Sequence, residues 1–244
     1  MSEKFRYEQS RPSFSIERKM FEDKREAQMA YEGIPSVQKQ GMAKVYQDAF
    51  GGYPWYEKYQ CSRCGAYQKD PGNCPSCGDA VTREAYPSDE LVKNYFPKML
   101  ADYTPGTLIL SQAFDGRVVG FSSGGMIPLE ALVQKKYAGS PKILASICAR
   151  AGFDGGEQVF YDNETCIAPE VQKRGVGRRL SEERIKSALE LNAGRICGRT
   201  INMPWLKLKK EQLIAAGYSF DAFVPEGESY SVDGVMRTFY MAVK

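Results

Sequence analysis

Four cysteines stand out for their spacing. Cys61 and Cys64 sit in "CSRC", and Cys74 and Cys77 repeat the interval in "CPSC". Glycine follows each pair, at Gly65 and Gly78. A tight turn after each pair aims backbone N–H groups at sulfur, and glycine accepts the positive φ that such a turn needs. The segment reads as the two knuckles of a zinc ribbon. Four thiolates complete a tetrahedral zinc shell and leave no position for water or substrate. The expected role is therefore structural Zn2+, with metal binding supplying the folding energy of a segment too short for its own core. A rubredoxin-like iron site would use the same sulfurs. So would two disulfides, against which a reducing cytosol argues. Cys148, Cys166 and Cys197 lie outside the cluster and are expected to be small buried residues.

A second stretch with chemistry in it is "NETCIAPEVQKRGVGRRLSEERI", Asn163 to Ile185. A strand runs to Pro169. Gln172, Lys173 and Arg174 lead to Gly175-Val176-Gly177, and a helix opens at once with Arg178 and Arg179. Glycines let backbone approach a phosphate. A helix N-terminus adds unpaired N–H groups and partial positive charge. The turn is an anion site by this reading. It lacks the Lys-Ser/Thr of a Walker loop and the third glycine of a dinucleotide fingerprint.

The chain contains no histidine. General acids and bases must then come from Glu, Asp, Tyr, Lys, Cys, water or backbone. Ser-His-Asp and Cys-His sites are excluded, as are histidine metal ligands.

These stretches need elements to position them. The 244 residues, 43% hydrophobic and 26% charged, suffice for one generous domain or two small ones. Residues 1–40 are polar and read as an arm, partly helical or disordered. "MAKVYQDAF" has helical spacing, and Ser88 N-caps a second helix running to about 103. Asp115-Gly116 centres a β-hairpin over 107–123. Residues 127–156 read as one or two short helices. A strand over 159–168, a helix over 175–192, a strand over 194–201, a helix closed by Gly217 and terminal strands around Asp233-Gly234 follow. Strands alternating with helices predict a mixed α/β (α+β) domain. It occupies 41–60 and 86–244, with the ribbon inserted at 61–80.

With that context, Gln172-x-x-Gly175-x-Gly177 after a strand and before an amphipathic helix resembles motif A of the GNAT acyltransferases. The resemblance covers 43–60 and 86–244. It implies the GNAT fold, a central mixed twisted sheet flanked by helices, and transfer of an acetyl group from acetyl-CoA to an amine by direct attack in a ternary complex. It places the pantetheine arm along the backbone of Cys166, Ile167 and Ala168. The pyrophosphate falls at the N–H groups of Gln172, Lys173, Arg174, Gly175, Val176, Gly177 and Arg178, with Asn202 as a further contact. An N–H of the splayed strand, at Ile167 or a neighbour, would stabilise the oxyanion. Glu164 is the implied base. The usual acid, a tyrosine four residues before Gly217, is Leu213 here, so the acid is unassigned: Tyr218, which replaces the usual Phe, is a candidate beside a core role, and proximity and water alone are the alternative. The inserted ribbon would border the acceptor side and wall the groove without doing chemistry.

Two other classes compete. One is a nucleic-acid or ribosome-associated binder using the ribbon, although Cys61–Gly78 carries only Arg63 and Lys69 and the net charge is +3. The other is an acyl-CoA sensor without turnover. The N-terminus lacks the apolar core of a signal peptide, and no apolar run approaches the roughly 18–20 residues of a membrane span. The expectation is a cytoplasmic monomer or homodimer whose acceptor is a small molecule, a peptide or a protein.

Overall fold

The computed structural model describes residues 14–52, 54–79, 82–152, 154–228 and 236–244. Chain order begins with β1 (Ser15–Phe21), α1 (Lys24–Glu32) and α2 (Ser36–Gly51). A small sheet follows, β2 (Tyr59–Cys61), β3 (Tyr67–Gln68) and β4 (Thr82–Glu84). Next, α3 (Ser88–Glu90) passes through a π-helical stretch (Leu91–Tyr95) into α4 (Phe96–Ala101). The hairpin β5 (Gly106–Gln112) and β6 (Val118–Pro128) leads to α5 (Leu129–Tyr137) and α6 (Pro141–Ala151). The chain closes with β7 (Gln158–Tyr161), β8 (Thr165–Ile167), α7 (Val176–Glu190), β9 (Arg195–Thr200), α8 (Met203–Ala215), β10 (Ser219–Phe223) and β11 (Thr238–Val243).

The large sheet has the order β1-β5-β6-β7-β9-β11-β10, with β8 paired to β6. Its centre is covered on both faces, and β5 and β6 are buried along nearly their whole length. Gly120 of β6 faces Leu180 and Val176 of α7. Its neighbour Phe121 points the other way, onto Tyr46 of α2 and Phe96 of α4. Alternation along one strand thus joins two layers of core.

The expectation of an arm over 1–40 is corrected from residue 15 onward. β1 pairs antiparallel with β5 along its whole length, from Ser15↔Gln112 to Phe21↔Gly106. In α1, Asp23 caps the N-terminus by accepting from Glu26 N, and Tyr31 packs on Phe96. Charge hid this strand: "SIERKMF" is an edge strand, and exposed edges favour charged side chains. The turn expected at Asp233-Gly234 lies outside the described residues, as do residues 1–13.

The strand expected over 159–168 is two strands. β6 pairs with β7 up to Gly125↔Tyr161 and with β8 from Ser122↔Thr165. Ser123 and Gly124 therefore oppose three residues, Asp162, Asn163 and Glu164, which is a β-bulge. β7 runs parallel to β9 only at Phe160↔Ile196 and Tyr161↔Cys197. Beyond the bulge β8 stays with β6 and leaves β9, so the sheet opens into a V.

The candidate active site

A cleft of about 890 Å³ occupies that V. One end is bounded by Ile167, the 172–178 turn, Asn202 and Trp205. The other is bounded by the aromatic side chains of α2 and the small sheet.

At the first end the backbone of β8 divides by alternation. Ala168 N–H donates to Val119 O, and Ser123 N–H donates to Glu164 O. With Phe121 opposite Cys166, the even-numbered residues of β8 spend their backbone groups on β6. Thr165 and Ile167 face the open side. Of the three residues expected along the pantetheine arm, Ile167 alone presents its N–H and C=O to the cleft. The Cys166 thiol is buried among core side chains, and that burial pushes its pKa well up. It is no nucleophile.

The glycine turn has the geometry an anion needs. Lys173 and Gly175 take positive φ, +61° and +86°. Gln172 and Arg174 donate their N–H groups to Pro169 O and Val171 O. Among the described residues, the N–H groups of Lys173, Gly175, Val176, Gly177 and Arg178 meet no backbone acceptor. Val176 is buried in the core, while Lys173 and Arg178 are exposed and line the cleft. Gly177 serves a different end from Gly175. A Cβ on Gly177 would stand 2.6 Å from Ile167 Cδ1, so its absence lets α7 close on β8. Asn202 is the N-cap of α8, accepting from Trp205 N–H at 3.0 Å, and its position lines the cleft.

Past the bulge, Glu164 turns its carboxylate into the cleft. The Tyr95 hydroxyl donates to Glu164 Oε1 at 3.2 Å, and the Tyr46 and Tyr95 hydroxyls lie 3.0 Å apart. Burial first, then the Glu164 charge, pushes the Tyr95 phenol well up, so it stays a proton donor. Lys136 Nζ stands 3.8 Å from the same carboxylate oxygen. Burial pushes this ammonium down, against the pull of Glu164.

The bulge is held from beneath. Asp162 is buried and ion-paired to Arg184 and, at 2.6 Å, to Lys209. Tyr240 donates its hydroxyl to the same carboxylate. Arg184 also donates to the carbonyls of Ser123 (3.0 Å) and Glu164 (2.7 Å), pinning both strands at the opening.

Tyr218 lies elsewhere, and its expected role as acid is corrected. Its side chain is buried in the cluster around Ile196 and Leu213, and its hydroxyl donates to Ala193 O at 2.8 Å. It does not line the cleft. Leu213 is a core residue. The tyrosine that does reach the candidate base, Tyr95, comes from the helix before the hairpin. The sequence shows it there as one residue of an apolar face.

The four thiols of the small sheet gather within 4.8 Å of one another. Cys61 and Cys77 sulfurs are 3.7 Å apart, and Cys64 and Cys74 are 3.5 Å apart. Tetrahedral zinc with Zn–S of about 2.3 Å separates its sulfurs by about 3.8 Å, whereas a disulfide needs about 2.05 Å. The donor set fits zinc. Backbone N–H groups of Ala66, Ser76, Cys77 and Asp79 point at these sulfurs, and Gly65 and Gly78 take positive φ. The same sheet walls the far end of the cleft. Tyr67 sits on β3, Tyr86 follows β4 and Glu57 precedes β2, and all three face inward. Tyr67 stacks on Tyr86, and Tyr86 and Arg237 both hold Glu57.

No family profile matches the sequence, and no curated protein matches it. Solved structures do. The mosquito arylalkylamine N-acetyltransferase like 5b is 14% identical, with 94% of this chain and 99% of that one covered and a TM-score of 0.51. Arylalkylamine N-acetyltransferase 2 from Aedes aegypti is 9% identical over the same shares, with a TM-score of 0.50. Among the described residues, no helix is long and apolar enough to cross a membrane. The sheet order, the bulge, the V and the glycine turn that opens α7 together give this chain the GNAT acetyltransferase fold.

Proposed function

We propose that the protein is an N-acetyltransferase that moves the acetyl group of acetyl-CoA to an amine. One observation carries this reading: Glu164 and the cleft-facing N–H of Ile167 stand beside the same opening, next to a turn whose backbone N–H groups suit an anion. Both similarly folded structures bear the name of amine N-acetyltransferases.

In this mechanism the turn from Lys173 to Arg178 holds the pyrophosphate, and the Ile167 carbonyl accepts a hydrogen bond from the pantetheine arm. The amine nitrogen attacks the thioester carbon. Glu164 takes the amine proton as the C–N bond forms, and the Ile167 N–H stabilises the oxyanion. The C–S bond then breaks and the electron pair leaves on sulfur. Tyr95, protonated and bonded to Glu164, supplies the proton path back toward that thiolate. Cys166 forms no acyl intermediate, so the attack is direct.

Cys61, Cys64, Cys74 and Cys77 would hold zinc, and the metal would brace the β2–β4 sheet that turns Tyr67, Tyr86 and Glu57 toward the acceptor. Its part is mechanical, since four thiolates close its shell. Glu164→Gln tests the reading. It should lower kcat about 10²–10⁴-fold, the usual contribution of a general base, and leave acetyl-CoA affinity unchanged. Undiminished turnover would remove Glu164 from the mechanism.

A further inference from the structure

The acceptor end of the cleft contains more charge than an amine alone requires. Among the described residues, three cations that line it each stand beside a carboxylate. Arg237 lies 3.3 Å from Glu57, Arg199 lies 3.6 Å from Glu228, and Lys136 lies 3.8 Å from Glu164. Within these three pairs each positive charge faces one negative charge. A simple protonated amine would leave one positive charge uncompensated in a half-buried space. A zwitterion adds none.

Lys136 and Glu164 are the longest of the three pairs. At 3.8 Å the ammonium is outside hydrogen-bond distance of the carboxylate. Among the described residues Lys136 Nζ donates no hydrogen bond, although an ammonium carries three donors; it lies over the Tyr161 ring, 5.4 Å from its centre. Arg199 reaches over the same floor, with one long contact to the Lys136 carbonyl at 3.5 Å and its guanidinium over the Tyr137 ring. Two cationic groups thus line the cleft, Lys136 beside the candidate base and Arg199 reaching the Lys136 carbonyl. Their natural filler is an anion attached close to the reacting amine. In an α-amino acid the amine and the carboxylate share one carbon, which suits the short span from Glu164 to Lys136.

The opposite wall is aromatic. Phe50 packs on Trp55 at 5.4 Å, and Tyr46 meets Tyr86 edge-on at 5.1 Å. Such a wall accepts an apolar or aromatic side chain.

We propose, on the basis of the acetyl-transfer reading above, that the acceptor is a free α-amino acid with an apolar or aromatic side chain. Its amine faces Glu164, and its carboxylate is read by Lys136 and Arg199.

The test compares matched acceptors with acetyl-CoA, following thiol release: phenylalanine, tryptophan, leucine and methionine, each beside its amide and its decarboxylated amine. The amino acids should exceed both partners in kcat/KM by at least about tenfold, the discrimination of one lost charge-assisted contact. In Lys136→Met and Arg199→Gln that ratio should fall toward one, and Lys136→Arg should restore most of it. Acetyl-CoA affinity, measured on each variant, reports whether it is folded. If amides, decarboxylated amines or peptide N-termini are acetylated as well as the amino acids, the acceptor proposal is overturned while acetyl transfer stands. If the wild type neither binds acetyl-CoA nor releases thiol with any amine, the acetyl-transfer reading falls and takes this one with it.

Discussion

The Tyr95 hydroxyl donates to Glu164 Oε1 at 3.2 Å, across 69 residues of sequence. A helix before the hairpin thereby orients a carboxylate on the far side of the bulge. Tyr95→Phe removes the donor and keeps the ring. We expect kcat to fall about 10-fold or more, within the range of a lost hydrogen bond to a charged group, with unchanged acetyl-CoA affinity. Steady-state kinetics with calorimetric titration of acetyl-CoA checks this. A loss confined to acetyl-CoA affinity would contradict it.

The metal prediction concerns the acceptor, not the cofactor. Replacing Cys64 and Cys77 by serine should release zinc, loosen the sheet bearing Tyr67 and Tyr86, and raise the acceptor KM at least severalfold. Acetyl-CoA affinity should hold, because the glycine turn lies in another part of the cleft. Metal analysis, far-UV circular dichroism and acceptor kinetics test it together. A folded, zinc-free variant with intact acceptor turnover would refute the wall.

The turn itself makes a sharp prediction. Gly175 caps α7 at φ +86°, and Gly177 lets Ile167 pack against the helix. Gly175→Val places a β-branched residue in a left-handed conformation, at a cost of about 1–3 kcal/mol. Acetyl-CoA should bind about 10-fold more weakly or worse in isothermal titration. Equal affinity would show that the turn does not hold the pyrophosphate.

Asp162 offers a pH test. Burial pushes its carboxyl up, but Arg184 and Lys209 outweigh this and hold it below the usual carboxylate range. A depressed folded-state value contributes stability above the unfolded pKa of about 3.9, and that stability is lost as pH falls through the folded value. Asp162→Asn leaves buried cations unpaired and should destabilise by about 3–5 kcal/mol at pH 7. In urea titrations the gap between wild type and variant should narrow below about pH 4. A gap constant from pH 7 to pH 3 would contradict the assignment.

Much of this was legible in the sequence, and what was not has physical reasons. The four cysteines and the glycine turn announce themselves because their chemistry is local. Contacts within a few residues fix it. The hairpin at Asp115-Gly116 and the helix opening at Gly175 are local for the same reason. β1 was missed because an edge strand rich in charge looks like an arm. The bulge was missed because "QVFYDNETCIAP" has no glycine or proline between Tyr161 and Glu164, and the extra residue appears only when β6 is laid alongside. Tyr95 was hidden among apolar neighbours, and Tyr218 drew attention by position alone. One signal was there to be used. Val176, Leu180 and Arg184 fall on one helix stripe, as do Lys209 and Leu213. A charge on a buried stripe needs a partner inside, and both cations find Asp162.

An amine and acetyl-CoA are proposed to react in this cleft under the control of Glu164. The most direct measurement is amine-dependent thiol release from acetyl-CoA, with the N-acetyl product identified by mass spectrometry, in wild type and Glu164→Gln. The wild type should give stoichiometric thiol and N-acetyl product, and the variant should lose about 10²–10⁴-fold with acetyl-CoA still bound. Thiol release that is independent of added amine, or equal in the two proteins, would contradict it.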